Sequence, residues 1–151
     1  MNTSSSVPST VPETLARLED RLHYAGQRLT DVRREVLQAM VTLGTPRTAY
    51  ALLESLNQTR KPPLSPISLY RTLSFLTEAG VVVKLESQNT FKLCLDATTN
   101  HQHVVMICDT CGQTREIHDE ALAKTLTQAA RRHGHTLRHP VIELHGVCQK
   151  C

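Results

Sequence analysis

The chain has 151 residues and a formal net charge of +3, with 40% hydrophobic and 21% charged residues. This length accommodates one domain of ordinary size or two small ones. Aromatic residues make up only 3% and there is no tryptophan, which excludes a large aromatic core or a base-stacking platform. The basic excess lies in the first part, with ten Lys/Arg against seven Asp/Glu up to Lys84 and seven against seven beyond it. This distribution favours a nucleic-acid partner, although so small an excess does not establish one.

The first eleven residues, MNTSSSVPSTV, are rich in Ser, Thr and Pro and show no apolar periodicity. This composition predicts a disordered lead-in over residues 1–11 rather than a targeting peptide. Since the chain shows no secretory signal and no long apolar run, we expect it in the reducing cytoplasm.

Apolar residues spaced three or four apart predict four helices in the next part of the chain. The predicted segments are Pro12 to Gly26, Thr30 to Gly44, Thr48 to Asn57 and Ser65 to Gly80. The fourth has the clearest start, because Ser65 is a preferred N-cap residue and Pro66 suits the first helical position. Ser68, Arg71 and Thr72 are predicted to share a polar face of this helix. A stripe of leucines is predicted to form its buried face.

Two short β-type runs follow the helices, Val81 to Leu85 and Thr90 to Cys94, and the residues between them predict a hairpin. Helices followed by a hairpin are typical of a winged helix-turn-helix domain, whose last helix enters the major groove of DNA. The alternative is a small helical bundle that carries a hairpin. The short polar face of the fourth helix favours the DNA-binding version, which we assign to residues 12–86.

Residues 87–151 change to the pattern strand, strand, helix, strand. The predicted segments are Val104 to Ile107, Thr114 to Ile117, Ala121 to His133 and Val141 to Leu144. The helix is predicted to direct Leu122, Leu126 and Ala130 inward. A unit of this size buries little surface alone, so we expect a small α/β dimerisation domain, and the fold class is α+β.

Four of the five cysteines form two CxxC pairs, Cys108/Cys111 and Cys148/Cys151. Four thiolates suit a closed tetrahedral zinc site, and Gly112 tolerates the positive φ of such a turn. The gap between the pairs is about twice the ~15–20 residues of a zinc ribbon, so the site is predicted to pin the C-terminus onto a folded domain. Disulfides or a redox pair are the alternatives, and a reducing compartment without a preceding βαβ pattern disfavours both.

The fifth cysteine and a group of histidines indicate a second metal site. Cys94 lies between the two halves, and seven of the eight histidines follow it. In a strand, His101 and His103 point to the same face, and Glu116 adds a carboxylate. A buried thiol and a solvated HxH are the alternatives. The nearness of all four residues to the CxxC pair favours a metal.

From about Leu15 to Cys151 the sequence resembles the ferric uptake regulator superfamily, most closely its zinc uptake regulator branch. The motifs that carry the resemblance are RLTDVRREVL, TAYALLESL, SLYRTLSFL, KLESQNTFKLC, ICDTCG and LRHPVIELHGVCQKC. The resemblance implies a homodimeric, zinc-sensing repressor that binds palindromic operators of zinc-uptake genes. It implies no enzymatic activity, no membrane association and no small-molecule substrate.

The resemblance also assigns metal ligands. The four residues implied to hold structural zinc are Cys108, Cys111, Cys148 and Cys151. The implied regulatory zinc ligands are Cys94, His101 and Glu116. The fourth family ligand falls on Val83, which has no donor atom, and our hypothesis is that His103 takes its place. A water ligand or a weakened site are the alternatives, and His139 resembles part of a third site of some family members.

On the DNA side, the resemblance implies that Tyr70 and Arg71 lie on the recognition helix, beside Ser68. Arginine pairs bidentately with guanine, the commonest specific contact. Arg28 and Tyr50 match positions expected to contact phosphate, where they fix register without reading sequence.

Two other functions are weighed against this one. An iron or peroxide sensor of the same superfamily would avoid thiolate ligands, so Cys94 argues against it. A zinc enzyme is the less favoured alternative, since the chain has neither an HxE before a PCxxC nor an HExxH motif.

Overall fold

The computed structural model of the protein describes residues 10–95, 103–137 and 141–151. The elements in these ranges are α1 (Val11–Tyr24), α2 (Asp31–Leu43), α3 (Ala49–Asn57), α4 (Pro66–Glu78), β1 (Val82–Leu85), β2 (Thr90–Leu93), β3 (His103–Cys108), β4 (Thr114–Ile117), α5 (Glu120–Arg132) and β5 (Val141–Gly146). They belong to two compact units, Met1–Ala97 and Thr98–Cys151. Within the described residues, no helix combines the length and the apolar character needed to cross a membrane.

The first four helices begin at hydroxyl-bearing caps, and the predicted cap Ser65 is one of them. The caps, whose side chains accept the backbone N–H of the third residue that follows, are Thr10, Thr30, Thr48 and Ser65. At α1 the contact is reciprocal, because the Thr10 N–H also donates to Glu13 Oε2 at 3.0 Å. This capping box starts the helix at Val11, one residue inside the predicted lead-in, and residues 1–9 lie outside the described ranges.

The core of the first unit forms from the apolar stripes of its helices. Leu18 and Leu22 of α1 and Leu37 of α2 are each no more than 1% exposed. On α4 the leucine stripe is equally buried, at Leu69, Leu73 and Leu76. Each such burial contributes about 1.5–3 kcal/mol, so the stripe fixes which face of α4 is left to solvent.

The predicted hairpin forms, with β1 antiparallel to β2 and Leu85 opposite Thr90. An isolated bridge between Arg47 and Phe91 joins it to the loop before α3. Four helices followed by this hairpin give the winged-helix arrangement and confirm the α+β fold class. The boundary expected between residues 86 and 87 falls in the hairpin turn, whereas the compact units divide after Ala97. The two boundaries differ because β2 pairs with β1 and so belongs to the first unit. The domain boundaries stay a prediction.

The second unit is built on a three-stranded sheet in the order β4-β3-β5. The central strand β3 runs antiparallel to β4 and parallel to β5. Among the described residues of α5 none is fully buried, and the predicted inward-facing Leu122, Leu126 and Ala130 are only half-buried. The described part of this unit therefore covers the apolar face of α5 incompletely.

Candidate metal centres and nucleic-acid interface

The two CxxC pairs meet because β3 and β5 run in parallel and in register. Cys108 ends β3 and lies opposite Gly146, which ends β5. The backbone N–H of Asp109 donates to Gly146 O at 2.8 Å, so the pairing continues to the start of the first turn. That turn closes through a hydrogen bond from Gly112 N to Cys108 O at 2.8 Å, with Gly112 at the positive φ of 71° that its sequence position suggested.

The four sulfurs form one compact cluster. All their Sγ atoms lie within 4.8 Å of one another. The Sγ atoms of Cys108 and Cys151 are 3.8 Å apart, those of Cys111 and Cys148 3.9 Å, and those of Cys148 and Cys151 3.4 Å. A tetrahedron with zinc–sulfur bonds of about 2.3 Å has edges of roughly 3.8 Å, so the cluster fits a zinc ion. These separations are also far longer than the roughly 2.05 Å of a disulfide bond, which removes that alternative for the four residues.

The pKa values of Cys108 and Cys151 in the cluster are shifted in opposite directions. The backbone N–H of Cys148 donates to Cys108 Sγ at 3.3 Å, and this contact is the main cause that lowers the pKa of Cys108 to about 6. Contacts with Cys148 first, then with the other sulfurs, raise the pKa of Cys151 to about 12. Zinc ligands bind as thiolates, and a zinc ion would supply the positive charge that balances four of them.

A half-buried histidine beside the sheet is paired with a carboxylate. His103 and Glu116 lie on adjacent strands, and His103 Nδ1 is 2.6 Å from Glu116 Oε1. Their side chains are 12% and 17% exposed. The structure therefore places two of the predicted regulatory donors side by side.

Cys94 follows the wing hairpin and is buried, at 4% exposed. Its backbone N–H donates to Val81 O at 2.9 Å. Val83 is also buried and supplies no donor atom, in keeping with the departure seen in the sequence. His101 and His139 lie outside the described residues. That one ion joins Cys94, His101, His103 and Glu116 therefore stays a prediction.

The solvent-facing side of α4 carries the predicted DNA-reading residues. Tyr70 is 54% exposed and Arg71 is exposed, while Ser68 is half-buried and its hydroxyl accepts from Ser65 Oγ at 2.9 Å. The placement of Thr72 on this polar face was wrong. Thr72 is only 5% exposed, and its hydroxyl donates to Ser68 O at 2.9 Å within its own helix, so it faces the core without an unpaired polar group.

The two predicted phosphate contacts are also accessible. Tyr50 on α3 is 77% exposed, and Arg28, in the loop before α2, is exposed. Whether these side chains contact DNA stays a prediction.

One arginine at this surface, Arg33, was not predicted from the sequence. The guanidinium of Arg33 stacks over the Phe75 ring, 3.4 Å from its centroid, and Nη1 donates to Arg28 O at 2.6 Å. Arg33 lines an open cleft of about 510 Å³ together with Tyr70 and Arg71. Its partners lie on α4 and in the loop before α2. The contact with α4 depends on helix packing, so the local sequence does not predict the position of Arg33.

A winged-helix unit with an accessible recognition helix, followed by a small α/β unit with four clustered cysteines, defines a class of metal-dependent DNA-binding regulators. The model of the ferric uptake regulator family matches residues 24–145. The chain therefore belongs to the ferric uptake regulator family, which agrees with the expectation that it is not an enzyme.

Within this family the chain is similar to zinc uptake regulators. It is 38% identical to the zinc uptake regulation protein of Escherichia coli K12, over 95% of this chain and 84% of that protein. A solved zinc uptake regulator complexed with zinc and DNA matches with a TM-score of 0.82 and 38% identity, over 95% of both chains. A structure of holo XcZur matches with a TM-score of 0.78 and 33% identity, over 91% of this chain and 95% of the other.

Proposed function

We propose that this protein is a zinc-sensing transcriptional repressor that acts as a homodimer on palindromic operators of zinc-uptake genes in the cytoplasm. The observation that carries the proposal is the similarity, over 95% of both chains, to a zinc uptake regulator solved with zinc and DNA. The four-cysteine cluster and the exposed face of α4 supply the two kinds of site that such a regulator needs.

The structural zinc ion would be held by the four-cysteine cluster. A bound zinc ion supplies the positive centre that four thiolates require, without redox chemistry. Because the cluster joins the end of β3 to the last residues of the chain, it fastens the C-terminus to the sheet. We assign it to stability rather than to sensing, since a site closed by four thiolates leaves no open position.

The regulatory zinc ion would be held by Cys94, His101, His103 and Glu116. In this proposal His103 supplies the ligand that Val83 cannot. The contact between its Nδ1 and Glu116 already holds these two donors side by side. Cys94 belongs to the first compact unit and the other donors to the second. Binding a common ion therefore favours one relative orientation of the units, which converts binding energy into a population shift.

DNA would be read by α4 and positioned by the residues around it. Arg71 is the candidate for a bidentate contact with guanine and Tyr70 for an apolar contact with a base. Arg28 and Tyr50 are assigned to phosphates, with Ser68 beside them at the start of the helix. If the zinc-bound orientation sets two recognition helices one DNA turn apart, zinc and DNA binding strengthen each other by the same factor.

A second copy of the chain is the proposed partner of the second unit. The half-buried apolar face of α5 and two neighbouring exposed residues on β3 and β5 support this assignment. Met106 is 38% exposed and lies opposite Leu144, which is 45% exposed. A homodimer would cover such apolar surface and would present two recognition helices to a palindrome.

The test is a binding titration in buffers of stepped free zinc. A labelled palindromic duplex, selected from a random pool with the zinc-loaded protein, is followed by fluorescence anisotropy for wild type, Cys94→Ser and His103→Ala. His133→Ala is the matched control, because His133 is an exposed histidine at the end of α5. We expect wild type and the control to bind above a zinc threshold that Cys94→Ser loses and His103→Ala shifts about tenfold or more upward.

DNA binding by wild type that ignores zinc would overturn the proposed sensor. Wild-type binding controlled by ferrous iron or peroxide instead of zinc would assign the protein to the alternative sensors of its family. An unchanged threshold in His103→Ala would show that water, or a three-coordinate site, replaces the missing ligand at Val83.

A further inference from the structure

An arginine on α1 ties together two distant backbone carbonyls in the first unit. Arg21 Nη1 donates to Cys94 O at 2.7 Å, and Arg21 Nη2 donates to Gly80 O at 3.2 Å. The two partners are 73 and 59 residues away in the sequence. Gly80 lies just beyond the end of α4, so one guanidinium joins α1, the end of the proposed recognition helix and the proposed regulatory cysteine.

The backbone around Cys94 is held from both sides. Its N–H donates to Val81 O at 2.9 Å, and its carbonyl accepts from Arg21. Val81 directly follows Gly80, the second partner of Arg21, and it is buried at 1% exposed. These three hydrogen bonds connect Cys94, Arg21 and the segment Gly80–Val81. The position of the Cys94 backbone therefore depends on that of the segment that follows α4.

Arginine suits this link better than any other side chain. Its guanidinium is planar, always charged, and donates in two fixed directions at once, whereas lysine offers a single flexible ammonium. Charge-assisted hydrogen bonds are shorter and stronger than neutral ones. The last carbonyls of a helix also carry partial negative charge, which favours a cation near the end of α4.

We propose that Arg21 is a positioning residue that fixes the Cys94 thiol for regulatory zinc and couples it to the C-terminal end of α4. This inference rests on the proposed function and deepens it by naming a residue that binds neither zinc nor DNA. Without Arg21, the Cys94 carbonyl loses its hydrogen bond to the guanidinium, so the thiol samples more positions. Zinc binding at Cys94 then orders the end of α4 less effectively.

The inference is tested on the full chain with Arg21→Ala, Arg21→Lys and a matched control, Arg17→Ala. Arg17 is exposed and lies one turn earlier on α1, so the control removes the same charge from the same helix. Cys94→Ser is included as the variant that lacks the sensing thiol. The first readout is the number and affinity of zinc ions per chain, measured by competition with a chromophoric chelator. The second is the alkylation rate of Cys94 by iodoacetamide when only structural zinc is bound.

We expect Arg21→Ala to keep its structural zinc but to bind the second ion roughly 10- to 100-fold more weakly, the usual effect of removing a group that orients a metal ligand. Cys94 should be alkylated faster than in wild type, and the zinc-dependent gain in binding to the selected duplex should fall. Arg21→Lys should have a melting temperature close to that of wild type. Its loss of second-site zinc affinity should be intermediate, because lysine can satisfy one carbonyl but not both. A purely structural role would instead lower the melting temperature without changing the second zinc affinity.

Two results would overturn the inference, and they are distinguishable. If Arg21→Ala and Arg21→Lys match Arg17→Ala in second-site affinity and alkylation rate while Cys94→Ser loses the second zinc, Arg21 has no positioning role and the proposed function stands. If Cys94→Ser keeps the second zinc, the proposed regulatory site is wrong and the role of Arg21 falls with it.

Discussion

Single residues near the zinc cluster show how strongly a side chain depends on its neighbours in space. His145 on β5 and Asp109 after β3 are 36 positions apart, yet His145 Nδ1 is 2.7 Å from Asp109 Oδ1. The hydrogen bond to Asp109 is the largest cause of a pKa of His145 above the ordinary 6.5. Nothing in the local sequence pairs these two residues, since the contact exists only because β3 and β5 are neighbours.

The first prediction concerns this pair. Asp109→Asn should lower the pKa of His145, because the amide removes the negative charge that favours the protonated ring. Proton NMR titration of the imidazole in the zinc-loaded protein measures the shift, and Glu143→Gln is the control, since Glu143 Oε2 is farther away at 3.8 Å from Nε2. The control should produce a smaller decrease.

The same pair makes a contribution to stability that depends on pH. Since the pKa of His145 is raised by folding, its stabilising contribution is complete below the unfolded value of about 6.5 and is lost as the pH rises through the folded value. The difference in unfolding free energy between wild type and Asp109→Asn should therefore shrink between neutral and alkaline pH. A difference that grows over that range would contradict the assignment.

At the scale of elements, α4 is the best predicted part of the fold. Its cap, its proline start and its leucine stripe were all recognisable, because each depends on residues within the helix itself. The Ser65 hydroxyl does two things there: it accepts the Ser68 N–H at 3.2 Å and donates to Ser68 Oγ at 2.9 Å. Thr72 was misplaced because its burial depends on how α4 packs against the core. A threonine hydroxyl bonded back to its own helix is tolerated inside a core, and composition does not reveal that contact.

The second prediction tests the start of this helix. Ser65→Ala should lower the free energy of unfolding by about 1 kcal/mol, the usual cost of losing a serine cap. In a unit of this size that corresponds to a melting temperature lower by roughly 4–8 °C. Ser74→Ala, an exposed serine in the interior of the same helix, is the control and should change stability little. Equal melting temperatures for the two variants would show that the cap does not stabilise α4.

At the scale of the whole molecule, the chain divides into two compact units that reach stability differently. The first has a core of buried leucines and valines, whereas the described helix of the second has no fully buried residue. The four-cysteine cluster compensates for this small core by joining the chain end to β3. Small units commonly depend on a metal or a partner in this way.

The third prediction follows from that difference. Cys151→Ser should remove one zinc ion per chain in native mass spectrometry and reduce hydrogen-exchange protection in β3 and β5, because structural zinc contributes directly to folding. Protection in α2 and α4 should be retained, since their core contains no zinc ligand. Cys94→Ser is the matched control and should leave β3 and β5 protected. If Cys151→Ser keeps both the ion and the protection, the cluster is not a structural zinc site.

The sequence by itself determined the helices, the hairpin, the α+β class and the two CxxC pairs, because caps, periodicity and ligand spacing are local properties. It also indicated the family, because the motifs that resemble the family are spread along most of the chain. Only the tertiary structure brought the four sulfurs within 4.8 Å, paired His103 with Glu116 and turned Thr72 inward. Only it placed Arg33 over Phe75 and Arg21 between Gly80 and Cys94. The physical reason is common to all of these contacts. Each depends on how separate elements pack together, and its geometry is set by strand register and helix packing rather than by the local sequence.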